Sequence, residues 1–330
     1  MSGPLLDGLE ASRDGLIGLW NGQPDRQVPQ RRLSKGAGDI WYASETIRGD
    51  LLVYDLTAGV TVDAGLAQAE VNLPGGPPLV LCCPDLDFFK QQMPLVRTYA
   101  DLRGDRMAEI DTPLDDILSY FGGFVYLDVA RRRQTVELLS AAVDLCIYVE
   151  MRIKHGFAVP RPIDFDPRIH PMIDTPTHGA FPSGHATEAF AVAGVLHCLL
   201  TGGTVAAGVA AHHELFQLAH RIATNRTVAG VHYPADSAAG AILGCGLADY
   251  VLAQAGAPAG SLPLKLAAPG GEDGAVFGPT DDFTLGWLAE AMAGAEAVET
   301  SSSIDRPILK SAWARAAQEF ALYQPPAVAE

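Results

Sequence analysis

The chain has 330 residues, 48% of them hydrophobic and 19% charged, a balance that supports a sizeable buried core and excludes a disordered chain. Its 23 Lys and Arg stand against 39 Asp and Glu, and the formal charge of -16 excludes a broad nucleic-acid or anionic-membrane surface. A cluster of cations in such a chain marks a local pocket.

The opening MSGPLLDGLEASRDGLIGLW carries Asp7, Glu10 and Asp14 and lacks the basic start and unbroken apolar core of a secretory signal. An unexported, cytoplasmic or otherwise soluble protein is expected. Residues 1–110 read as an irregular arm with short helices, one at Leu16–Asn21, and a small hairpin, packed on a helical bundle formed by the rest of the chain. Leu51–Tyr54 and Leu79–Cys83 are the strand-like runs, too few to build a sheet. The five cysteines, Cys82, Cys83, Cys146, Cys198 and Cys245, show no CxxC spacing and read as reduced and structural, with neither a disulfide framework nor a metal site.

Residues 111–254 turn helical. Leu114–Phe121 comes first, then Val129–Lys154, where Val136, Leu139, Ala142, Val143, Cys146 and Val149 recur at three- and four-residue steps. His185–Leu200, Val205–Ile222 and Ala235–Gln254 come next, rich in the Ala and Gly that let helices approach closely. The apolar runs Ala186–Leu200 and Ala238–Leu252 are broken by Glu188 and His197, or by Asp249, and fall short of the ~20 residues of a membrane span. The expected fold is therefore an all-α bundle. Residues 255–330, in the same domain, begin with a Gly/Pro-rich loop to residue 282. Helices at Asp282–Val298 and Arg306–Tyr323, separated by a Thr300–Ser303 turn, close the chain, and their apolar faces suit a homo-oligomer such as a dimer.

Three patterns carry chemistry, each at a helix end. In Lys154-His-Gly-Phe-Ala-Val-Pro-Arg161-Pro162, two prolines stiffen the loop that aims the Arg161 fork, while Lys154 adds a point charge. In Phe181-Pro182-Ser183-Gly184-His185, a helix N-terminus offers unpaired amides to an anion. Ser183 alone reads as an N-cap and His185 alone as a packed core histidine. In Asn225-Arg226-Thr-Val-Ala-Gly-Val-His232-Tyr-Pro-Ala-Asp236, the four-residue step lets Asp236 accept from one nitrogen of His232 and leave the other as nucleophile or ligand. A surface ion pair fits that spacing equally well, and Arg226 alone reads as one more solvated arginine.

Together the patterns resemble the superfamily of type 2 phosphatidic acid phosphatases, bacterial acid phosphatases and vanadium-dependent haloperoxidases, with its KX6RP, PSGH and SRX5HX3D signatures. The match runs from Lys154 to Asp236 and departs at Asn225, where the family commonly has Ser. The resemblance implies a helical bundle with an oxyanion held by Lys154, Arg161, Ser183, Gly184 and Arg226. In a phosphatase, His232 attacks phosphorus, Asp236 orients it and His185 protonates the leaving oxygen. In a haloperoxidase, His232 ligates vanadate, His185 helps deprotonate hydrogen peroxide and Lys154 polarises it towards halide, with a small organic molecule as acceptor.

Within the resemblance, His178 points to the second branch. It lies seven residues before His185, where bromide-oxidising relatives carry a second histidine; a solvated loop histidine is the alternative. Lipid phosphatases of the family span membranes and its secreted phosphatases carry signal peptides, neither of which this sequence shows. Met151 points the other way, since well-known haloperoxidases have tryptophan there. The sequence therefore favours a vanadate-dependent haloperoxidase using bromide or iodide, with a soluble phosphatase as alternative and phosphate as vanadate's mimic. A non-catalytic oxyanion binder comes third, because it would need neither histidine nor Asp236.

Overall fold

The structure, a computed structural model, describes residues 8–9, 11–12, 38–111, 116–260, 264–267, 274–294 and 304–321. The chain divides into two compact units, Met1–Gly36 and Ala37–Glu330. The helix expected at Leu16–Asn21 and the turn at Thr300–Ser303 fall outside the described residues.

The larger unit is mostly helical, in line with the bundle expected. It opens with α1, Glu45–Thr57, which contains the LLVY run that reads as a strand in sequence. The four-residue period wins over local β preference: Arg48, Leu52 and Leu56 form the buried face. A sheet does form, against expectation. β1 (Thr61–Ala64), β2 (Gln68–Asn72) and β3 (Leu79–Cys82) pair antiparallel, and β4 (Lys265–Leu266) adds to β3 in parallel. Three of these strands carry too little apolar alternation to stand out, but β2 buries Ala69 and Val71 and β3 buries Leu79 and Leu81 against the helices.

α2 (Leu86–Tyr99), α3 (Arg103–Asp111) and α4 (Ile117–Gly122) lead to the central helix α5, Arg133–Phe157. α5 buries Leu138, Leu139, Ala142, Leu145, Cys146, Val149, Ile153 and Phe157; of the periodic face seen in sequence, Leu139, Ala142, Cys146 and Val149 are buried and Val136 and Val143 half-buried. It ends where Ala158 turns left-handed, its N–H donating to Lys154 O. A single turn, α6 (Pro162–Phe165), precedes the loop that carries His178. The helix expected at Val205–Ile222 is two: α8 (Val205–Ala210) and α9 (Glu214–Val228). His212, at φ 49, breaks the run, and His213 Nδ1 then caps α9 by accepting from Leu215 N.

The closest packing joins α7 (Gly184–Thr201) to α10 (Pro234–Ala255). A Cβ at Gly240 would lie 2.6 Å from Ser183 O, and one at Gly244 would collide with Thr187 O. Only hydrogen at these positions lets α10 press against the first turns of α7. Among the described helices, α10 alone is long and apolar enough to cross a membrane, and 94% of its apolar window is buried inside the protein. It is the core of the bundle. α11 (Leu285–Ala293) and α12 (Pro307–Phe320) complete the described chain, within the helical stretches expected. All five cysteines are reduced.

Candidate active site

Helix ends place the motif residues. Lys154 leaves the last turn of α5, Arg161 precedes α6, Ser183 caps α7, Arg226 lies in the last turn of α9 and Asp236 in the first turn of α10. The glycine-lined contact fixes the α7 end directly against α10, since Ser183 N donates to Asp236 O at 2.9 Å. Ser183 Oγ accepts from Ala186 N at 3.4 Å, so its capping role is real.

His232 and Asp236 form a buried pair. Asp236 Oδ2 lies 2.7 Å from His232 Nδ1 and accepts Tyr233 N at 3.0 Å. A carboxylate on Nδ1 places the ring proton there and leaves the lone pair on Nε2. That nitrogen faces Arg161 Nη1 at 3.0 Å. Burial holds the imidazole well below its usual protonation range, and Arg161, Lys154, His185 and Arg226 push it further down. The three motifs meet by direct contact: Arg161 Nη1 reaches His232 Nε2, Lys154 Nζ donates to Pro182 O and Ser183 N donates to Asp236 O. A buried neutral imidazole with its lone pair on Nε2 can serve as nucleophile or metal ligand once Arg161 Nη1 yields that position.

Arg161 is the hub. Its Nε donates to His178 O (3.1 Å), Nη1 to Val231 O (2.8 Å) and Nη2 to Gly179 O (3.2 Å), while Nη2 also lies 3.2 Å from His178 Nδ1. The half-buried His178 is thus part of the site wall, with its pKa lowered first by burial. Lys154 Nζ donates to Pro182 O at 2.5 Å, with Gly179 O and Ala180 O at 3.4 and 3.5 Å. Burial lowers its pKa to about 8, opposed by Glu150 one turn away. Arg226 is 1% exposed and donates from Nη2 to Ile110 O at 2.7 Å, while its Nε and Nη1 have no partner among the described residues. Two buried cationic donors without an acceptor are costly in a closed protein and suit a bound anion.

Residues 136–257 match the PAP2 superfamily. This stretch is a PAP2 superfamily domain, and it runs from α5 just past α10, holding every motif residue from Lys154 to Asp236 together with the loop of His178. No curated protein matches the chain. Members of the PAP2 superfamily are usually enzymes, phosphatases and haloperoxidases among them, and catalysis of that general kind is what the domain supports.

Several polar residues around the PAP2 site belong to none of the three motifs. Gln92 of α2 is fully buried; its Oε1 accepts Ala235 N at 3.0 Å while its amide donates to Pro279 O and Asp281 O. It caps the helix that carries Asp236. Glu150 lies beside Gly184, where an added Cβ would approach its Oε1 to 2.5 Å, and its Oε2 has no hydrogen-bond partner. Burial raises the pKa of Glu150, and also that of Glu188 on α7. Both interrupt otherwise apolar helix faces, and that interruption is the signal by which the sequence could have shown them.

Proposed function

We propose that this protein is a vanadate-dependent haloperoxidase that uses hydrogen peroxide to oxidise bromide or iodide for transfer to a small organic acceptor. The observation that carries the reading is the Arg161 guanidinium, which touches both His232 Nε2 and His178 Nδ1. One side chain thereby joins the ligand histidine to the second histidine that marks bromide-oxidising relatives.

The chain's donors fit a tetrahedral oxyanion by charge and by vacancy of hydrogen bonds: Arg226 Nε and Nη1 lack protein acceptors, and the first amides of α7 point out of its N-terminus. His232 Nε2 would be the vanadium ligand, with Lys154, Arg161, Ser183, Gly184 and Arg226 around the oxygens. Vanadate held there supplies a Lewis-acidic centre that activates hydrogen peroxide. Asp236 holds His232 in the tautomer that keeps Nε2 available. Lys154 supplies positive charge where negative charge accumulates, and His185, in the first turn of α7, exchanges the proton of hydrogen peroxide. His178 shapes the side of the pocket where halide arrives.

The test is reconstitution of purified protein with orthovanadate, followed by bromination of monochlorodimedone with bromide and hydrogen peroxide, with p-nitrophenyl phosphate hydrolysis measured in parallel without vanadate. Vanadate-dependent bromination that disappears in His232→Ala is the expected result. Phosphatase activity inhibited by vanadate, with no bromination, replaces this reading with the phosphatase one.

A further inference from the structure

Arg226 takes its direction from a segment that lies before the PAP2 domain. Among the described residues its one protein acceptor is Ile110 O, in α3. The residue before Ile110 is Glu109, whose carboxylate receives Arg221 Nε at 2.6 Å, Arg221 Nη2 at 2.5 Å and Asn225 Nδ2 at 3.1 Å. Arg106 Nη1 closes the ring by donating to Asn225 Oδ1 at 3.0 Å. Asn225 is fully buried and immediately precedes Arg226. At the other end of α3, Arg103 donates to Val228 O, two residues beyond Arg226, and to His170 O and Ile169 O.

Both ends of α3 are thus tied to α9 within two residues of Arg226. We propose that α3, through Glu109 and Asn225, is a positioning element that aims the Arg226 guanidinium and so sets the pocket's affinity for a tetrahedral oxyanion, phosphate or vanadate. A serine at 225 is too short to bridge Glu109 and Arg106 together, so the asparagine that departs from the family pattern is matched to α3. Loosening the ring shifts Ile110 O and turns the two uncommitted N–H groups of Arg226 away from the anion. The inference rests on the oxyanion pocket, and holds whether the protein is a haloperoxidase or a phosphatase.

A charge exchange tests it in the full chain, with phosphate and orthovanadate titrated separately by calorimetry and Tm recorded alongside. Asn225→Asp sets two carboxylates face to face and is expected to weaken both anions about tenfold. Adding Glu109→Gln restores an amide–carboxylate pair with the wild-type net charge and should return Kd to within about threefold of wild type. Glu109→Ala is the second variant, expected to weaken binding about tenfold, and serves if Asn225→Asp fails to fold. Variants that lose Tm while keeping Kd within about twofold, or a double variant that does not recover affinity, overturn the positioning role. Wild-type protein that binds neither anion overturns the pocket itself.

Discussion

All three guanidinium nitrogens of Arg161 bond to the surrounding loop and histidines, whereas Arg226 makes one bond, to Ile110 O, and keeps Nε and Nη1 without a protein partner. Both are nearly fully buried arginines of the same site. Arg161 belongs to a finished hydrogen-bond network that also holds His232, His178 and the chain around Gly179. Arg226 belongs to a half-finished one, and its remaining donors are what the protein offers to a ligand. Arg161 is committed to the pocket wall and to the orientation of His232, whereas Arg226 still has donors to offer a ligand.

The largest effect should come from the finished side. His232→Ala removes the nitrogen proposed as ligand or nucleophile, and under the haloperoxidase proposal bromination should fall about a thousandfold or more, measured as kcat with saturating vanadate. Activity within about tenfold of wild type would remove His232 from the mechanism.

Replacing each arginine by alanine then separates the two sides. Arg226→Ala should weaken phosphate binding about 100-fold, since two charge-assisted hydrogen bonds are lost, while Tm without phosphate falls less than in Arg161→Ala, because among the described residues the only protein hydrogen bond removed is the one to Ile110 O. Arg161→Ala should lower Tm by several degrees even without ligand, because the carbonyls of His178, Gly179 and Val231 lose their donor. Equal Tm losses in both variants would erase the distinction.

A smaller effect is expected from Lys154. Its pKa is pulled to about 8 by burial, so it is charged below that range and neutral above it. Ionisation of nearby Glu150, whose pKa burial raises, favours the charged form of Lys154 but sets a negative charge beside the pocket that disfavours an anion directly. Phosphate affinity should therefore hold at lower pH and fall as pH rises through about 8. Calorimetry across that range checks it, and Lys154→Arg, which stays charged, should flatten the decline. An unchanged decline in that variant would assign the titration elsewhere.

The smallest change is expected from His178→Phe. The variant should keep phosphate Kd within about threefold and alter the rate with bromide relative to iodide by a few-fold, because Arg161 retains its carbonyl acceptors. Equal loss with both halides would mean that His178 supports the fold of the loop and does not act on halide.

The motif residues were legible because the proposed oxyanion pocket calls for fixed residue types at helix ends, and the sequence shows Lys154, Arg161, the Ser183–His185 run, Arg226 and the His232/Asp236 step directly. Bundle helices were legible for a related reason: Leu139, Ala142, Cys146 and Val149 repeat at the helical period whatever packs against them. The sheet was not, because β1 and β2 draw their stability from pairing with each other and from burial under helices distant in sequence. LLVY at 51–54 misled for the converse reason: its local β preference is overridden by the face that Arg48, Leu52 and Leu56 bury. Gln92 and Glu109 had no motif to announce them. Each acts on a backbone or side chain more than a hundred residues away, Gln92 on Ala235 and Glu109 on Arg221 and Asn225.

By itself the sequence determined the inventory of the proposed site and the helices that carry it, since residue type and local spacing fix which charged and polar groups lie at helix ends and which faces are apolar. Tertiary structure decided what those groups do to each other. It pinned Arg161 between His232 and His178 and left two donors of Arg226 unpaired, outcomes that depend on which distant backbone carbonyls reach each guanidinium. Those carbonyls come from Val231, His178, Gly179 and Ile110, and only the packing of α3, α7 and α10 brings them within hydrogen-bond range.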